Sequence, residues 1–163
     1  MVPLHPSIVH FPPVLLLAAA VLYAIGLLRN HTVYQVTAFG FHVAGLIFSI
    51  VAIFTGDFES SGIKAGPELK ALMESHENLL MMATYGFGML GIWAFLRQKS
   101  NWIWEKTAFM VIFLGFNGLL LFGAHKGGEM VYLHGAGTVV APANALPQNS
   151  DSIPSSPTTN SVE

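Results

Sequence analysis

The 163-residue chain is 53% hydrophobic and 10% charged, with a formal net charge of −2, whereas water-soluble domains carry about a quarter charged residues; its solvent is expected to be a lipid bilayer. Seven Lys and Arg residues make no basic field for a phosphate backbone, which excludes nucleic acid as a partner. With no cysteine, disulfides, thiolate zinc sites, iron–sulfur clusters and covalent c-type haem are excluded, so any metal or haem must be held by His or Met.

In chain order, four stretches reach the roughly 20 apolar residues that a membrane helix needs, at about 9–28, 33–55, 76–96 and 104–124. None has a charged residue at its middle, and the connections are short, which predicts an all-α, up-down-up-down, integral membrane four-helix bundle over residues 1–137. The N-terminal stretch lacks a basic n-region and a small-residue cleavage site, so its span is expected to persist. It opens with His5-Pro-Ser-Ile-Val-His10-Phe-Pro-Pro, and Pro12 and Pro13 fit an early turn or kink the helix if it starts nearer Ser7.

In the second span, Gln35, Ala38, His42, Gly45, Ser49, Ala52 and Gly56 recur at three- and four-residue steps. That spacing is one helical face, small or polar throughout, and small faces let membrane helices approach closely. The face is therefore expected to point into the bundle and to carry His42 near mid-membrane. A polar connection over 57–74 follows, in which Gly66, Pro67 and Glu68 suit the N-cap, first position and first turn of a helix leading to His76.

The third span contains Gly86-Phe-Gly88-Met-Leu-Gly91, formally a GxGxxG. Inside an apolar helix, with no strand before it, the motif signals helix packing and not dinucleotide binding. Trp102 and Trp104 supply an interfacial aromatic belt. The fourth span runs to Gly123-Ala-His125-Lys-Gly127-Gly128, where the paired glycines are expected to end the helix ahead of Glu129, Tyr132 and His134. Residues 138–163 are rich in Ser, Pro and Thr, the composition of a disordered tail.

Arg29, Arg97, Lys99 and Lys106 fall on one side of this topology and Lys64, Lys70 and Lys126 on the other. The positive-inside rule then puts both termini outside, in the periplasm for a bacterial inner membrane protein. Spans one and three start on the outer side and span four ends there, so His5, His10, His76, His125 and His134 collect at one membrane face. Spans one and three are commonly diagonal in such bundles. Imidazoles at equal depth on diagonal helices suit the two axial positions of a b-type haem, with His10 and His76 as the favoured pair. If those spans are not diagonal, His76 pairs instead with His125 or His134.

His5 lies five residues from His10, turned away from it on a helix, and is assigned a supporting role with Glu77, Glu129 and Tyr132, whose polar atoms suit orienting an imidazole. His42, about 18 Å deeper at 1.5 Å per residue, is expected to bond a neighbouring helix, with Asn117 as one candidate; Met89 or Met110 is the alternative, as its partner on a second haem. The same outer cluster also suits copper or zinc, and a cofactor-free cluster in a structural subunit of a larger complex is the remaining alternative. No HExxH or GxSxG is present, and the acids are scattered around loops, so no catalytic centre is expected.

The stretches LHPSIVHFPPVLLL, SHENLL and GAHKGGEMVYLHGAG resemble an uncharacterised family of small four-span bacterial membrane proteins, a domain of unknown function with an HPxxVHFP opening and a GGxxVYxHG-like close. The resemblance covers about residues 3–136, and its specificity lies in the two end motifs. Relatives of this kind occur beside, or fused to, cytochrome c-like domains, which implies a haem-binding role in respiratory or periplasmic electron transfer. A cytochrome c is then the implied partner, and the quinone pool is an expected electron source. By position the motif histidines are His10, His76 and His134, flanked by His5 and His125; Pro13 stands where the family more often has an aliphatic residue.

Overall fold

A computed structural model describes residues 4–62, 65–96 and 102–136. Five helices account for nearly all of them: α1 (His5–Ile8), α2 (Phe11–Arg29), α3 (Thr32–Ser60), α4 (Pro67–Leu96) and α5 (Ile103–His134). The stretch His5–Arg29 and each of α3, α4 and α5 are long and apolar enough to cross a membrane. The chain is thus a multi-pass membrane protein whose apolar outer surface contacts lipid. The sequence expectation of a tail over 138–163, and the loop cations Lys64, Arg97 and Lys99, lie outside the described residues.

The hairpins α2–α3 and α4–α5 pack side by side, with further contacts between α3 and α4 and between α2 and α5. The four long helices therefore close into a ring in which α2 and α4 are diagonal, as are α3 and α5. Asn30 makes the first tight turn possible by adopting a left-handed conformation at φ 48°. The ring nitrogen Nδ1 of His31 accepts from the backbone of Val33 to cap α3.

The core consists of Leu16, Ala19, Ala20, Ala83, Phe87, Leu90, Phe113 and Leu120. From the small-residue face of α3, Ala38, His42, Gly45, Ser49 and Ala52 are buried, as their spacing predicts. A Cβ on Gly45 would stand 2.7 Å from Cγ of Leu16, so glycine is what allows α2 and α3 to touch there. Large apolar side chains on the opposite faces, such as Phe54, Tyr85 and Met89, are exposed from the bundle; in a bilayer they are satisfied by hydrocarbon.

Of the two placements open to Pro12 and Pro13, the structure has the early turn: α1 ends at Ile8 and α2 begins at Phe11, because Pro12 and Pro13 have no N–H to carry the ladder across the join. At the other end, Gly127 and Gly128 do not stop α5, which runs on to His134 and closes at Gly135 in the left-handed region, φ 64°. Helix ends in this bundle extend past the hydrophobic segments, so the stop falls where a glycine adopts positive φ and not where hydropathy falls. Gly66 accepts at its carbonyl from Lys70 N–H at 2.9 Å, and Pro67 opens α4, as expected.

Candidate functional site at the histidine-bearing end of the bundle

α1, the start of α4 and the end of α5 lie at the same end of the bundle, so the topology gathers His5, His10, His76, His125 and His134 there. Their local surroundings differ. The Nδ1 of His76 lies 2.8 Å from the carbonyl oxygen of Gly123. A carbonyl can only accept, so Nδ1 carries the proton and Nε2 keeps a lone pair. The ring lies against α5 where a Cβ on Gly127 would stand 2.9 Å from its Cε1, so this imidazole sits directly on helix backbone.

His5 is held in the same manner. Its Nδ1 donates to the carbonyl of Ala52 at 2.9 Å, with the hydroxyl of Thr55 at 3.2 Å, and its ring lies on α3, 2.8 Å at Cε1 from a notional Cβ of Gly56. Glu59 reinforces the placement: its Oε1 accepts from the backbone N–H of Leu4 at 2.7 Å and of His5 at 3.0 Å. Both imidazoles are half-buried at the same end of the bundle.

The remaining candidates are less constrained. His10 is exposed at the join between α1 and α2, and its side chain makes no hydrogen bond or ring contact among the described residues. His125 points away from the bundle, 70% exposed, with its Nε2 3.4 Å from Oε1 of Glu129 one turn on. His134 is half-buried in the last turn of α5. Tyr132 is exposed, and Glu77, the residue after His76, is exposed too. The described residues contain no group of three or more His, Asp or Glu side chains placed to hold a metal ion. What this end offers is two donor nitrogens on prearranged rings.

His42 belongs to a different environment. It is fully buried at the centre, where Nε2–H donates to the carbonyl of Phe87 at 2.9 Å and the hydroxyl of Tyr23 lies 3.4 Å from Nδ1. Rings of Tyr23, Phe39, Phe87 and Phe113 surround it edge-on, with Phe113 closest at 4.9 Å between centroids. It does bond a neighbouring helix, but through the Phe87 carbonyl and not through Asn117. The amide of Asn117 donates to Phe113 of its own helix, leaving Oδ1 buried without a partner. Met89, the suggested partner for His42 on a second haem, faces outward at 72% exposure, and Met110 packs at the edge of the core.

The sequence pattern places His5 at this end in a supporting role, but its anchoring atoms, on Ala52 and Thr55 of α3, lie beyond the reach of local helix spacing. The family model described as "Predicted membrane protein (DUF2231)" matches residues 1–140. No curated protein and no solved structure matches the chain.

Proposed function

We propose that this chain, which belongs to the DUF2231 family of predicted membrane proteins, is an electron-transfer module of the b-type cytochrome kind, with haem held by histidine at the end of the bundle where α4 begins. The observation that carries this reading is the state of His76: Nδ1–H is fixed on the Gly123 carbonyl and the lone pair of Nε2 is left for a ligand. Histidines that bind metal almost always donate their other N–H to a carboxylate, carbonyl or water, which sets the tautomer and strengthens the donor. The haem iron of an electron-transfer cytochrome takes two axial protein ligands, whereas zinc takes three or four, and the donors gathered here suit the former better.

Bound haem supplies a one-electron ferric/ferrous couple; the protein supplies axial nitrogens, a low-dielectric wall and a fixed depth. The donor class is a membrane quinol and the acceptor class a cytochrome c-like protein at the outer surface. Counted along the sequence, Arg29, Arg97, Lys99 and Lys106 belong to one side of the topology, against Lys64, Lys70 and Lys126 for the other. The positive-inside rule supports placing the histidine end and both termini outside, in a bacterial inner membrane. The test is a reduced-minus-oxidised spectrum of the detergent-purified protein made with ample haem. A b-type α-band that disappears in His76→Ala is expected, and a colourless wild-type protein would overturn the assignment.

A further inference from the structure

The two anchored imidazoles have the same spacing to their supports. His5 bonds the carbonyl of the residue 47 positions on, and so does His76. Each ring lies on a glycine four residues beyond that carbonyl, Gly56 and Gly127 respectively. From His5 to His76, from Ala52 to Gly123 and from Gly56 to Gly127 the step is always 71 residues.

The step extends through the fold. It carries buried Leu16 onto Phe87, Ala19 onto Leu90, His42 onto Phe113 and Ser49 onto Leu120, each also buried. It carries the start of α3 at Thr32 onto the start of α5 at Ile103. The α2–α3 contact maps onto α4–α5, and α2–α5 maps onto α4–α3, so the ring of helices is related to itself by a two-fold axis along the bundle. The rings of His42 and Phe113, equivalents of each other, touch at 4.9 Å, as equivalent residues do only beside the axis.

Set against residues 75–133, residues 4–62 are identical at only three positions: His5 with His76, Asn30 with Asn101, and Gly56 with Gly127. Core positions have exchanged Leu for Phe and Ser for Leu, because a packed interior demands summed volume and not particular side chains. Besides the turn asparagine, what both halves keep is the imidazole and the glycine beneath it. If these histidines merely clamped helices together, one N–H to a carbonyl would suffice, and several side chains supply that.

We propose that the chain is a tandem duplication of one helical hairpin, and that His5 and His76 are the two copies of a single ligand position, together holding one metal centre through their Nε2 atoms across the two-fold axis. The inference rests on the haem reading for the identity of that centre and names His5, in place of His10, as the second axial ligand. Glu59, which fixes the backbone of α1 and has Met130 as its counterpart, is the positioning residue that the N-terminal copy needs because α1 is a separate short helix.

The experiment is titration of the full-length protein in detergent with ferric haem, followed by optical and EPR spectra. The wild type is expected to take one haem per chain with a low-spin bis-imidazole signature. His5→Asn and His76→Asn each retain an N–H for the carbonyl bond but no ligating nitrogen, and each should lose that signature while remaining monodisperse. His5→Met and His76→Met should restore a low-spin species with a displaced spectrum, and His10→Ala should match the wild type. A wild-type spectrum in His5→Asn, or its loss in His10→Ala, overturns the pairing and leaves the haem reading standing. Should the wild type take no haem, the proposed function fails and cuprous ion alone becomes the probe. Binding of one Cu(I) that is lost in both Asn variants then supports the shared position; no binding, or loss in one variant only, overturns it.

Discussion

Beneath each anchored imidazole a glycine hydrogen occupies the place where any other residue would put a carbon. In Gly56→Ala and Gly127→Ala the new Cβ would lie 2.8 and 2.9 Å from the Cε1 of His5 and His76, and the ring has to lift off the helix. Both substitutions are expected to weaken haem retention to a similar extent, measured as the free-haem concentration needed for half saturation. His42 behaves differently because its two nitrogens are already engaged inside the core. His42→Leu should cost about 1 kcal/mol, at roughly 0.6 kcal/mol per membrane hydrogen bond, seen as a lower melting temperature in detergent with the haem spectrum unchanged. Local spacing could not reveal these supports. His5 owes its orientation to a carbonyl 47 residues away, and the equivalence with His76 is hidden from composition and hydropathy because the halves share so few identical residues.

Within single helices, much was legible because one physical rule governs it: a bilayer demands long apolar helices, and small residues mark where they touch. The buried face of α3 follows the three- and four-residue steps of Ala38, His42, Gly45, Ser49 and Ala52. Glycine alone does not identify a contact, as α4 illustrates. A Cβ on Gly86 would run into the ring of Phe116, while one on Gly88, two residues on, meets nothing. Gly86→Ala is therefore expected to destabilise the bundle by about 1–3 kcal/mol, the cost of overpacking. Gly88→Ala should be neutral or stabilising by up to about 1 kcal/mol through reduced backbone entropy; thermal unfolding of the two variants side by side checks the contrast. The helix ends were less legible, since α5 passes through Gly127 and Gly128 to stop at Gly135, and only backbone conformation decides which glycine terminates.

Across the whole molecule, the cysteine-free sequence makes topology directly measurable, because any thiol introduced is the only one. Single cysteines at Ser7 and at Ala136 should both react with an impermeant maleimide added to intact cells, and one at His31 should react only after lysis. The reverse pattern would place the histidine end at the cytoplasmic surface. Four spans also bear on how such a protein arises. Each hairpin crosses the membrane an even number of times, so a second copy joined behind the first enters the bilayer in the same orientation. Fusion of two such copies needs no ancestor able to insert both ways round, as transporters with inverted repeats do. A lone hairpin pairing with itself would already have brought two imidazoles to one axis, and joining the genes freed each half to acquire its own residues: Glu59 beside one histidine, Asn117 and Trp93 in the other half.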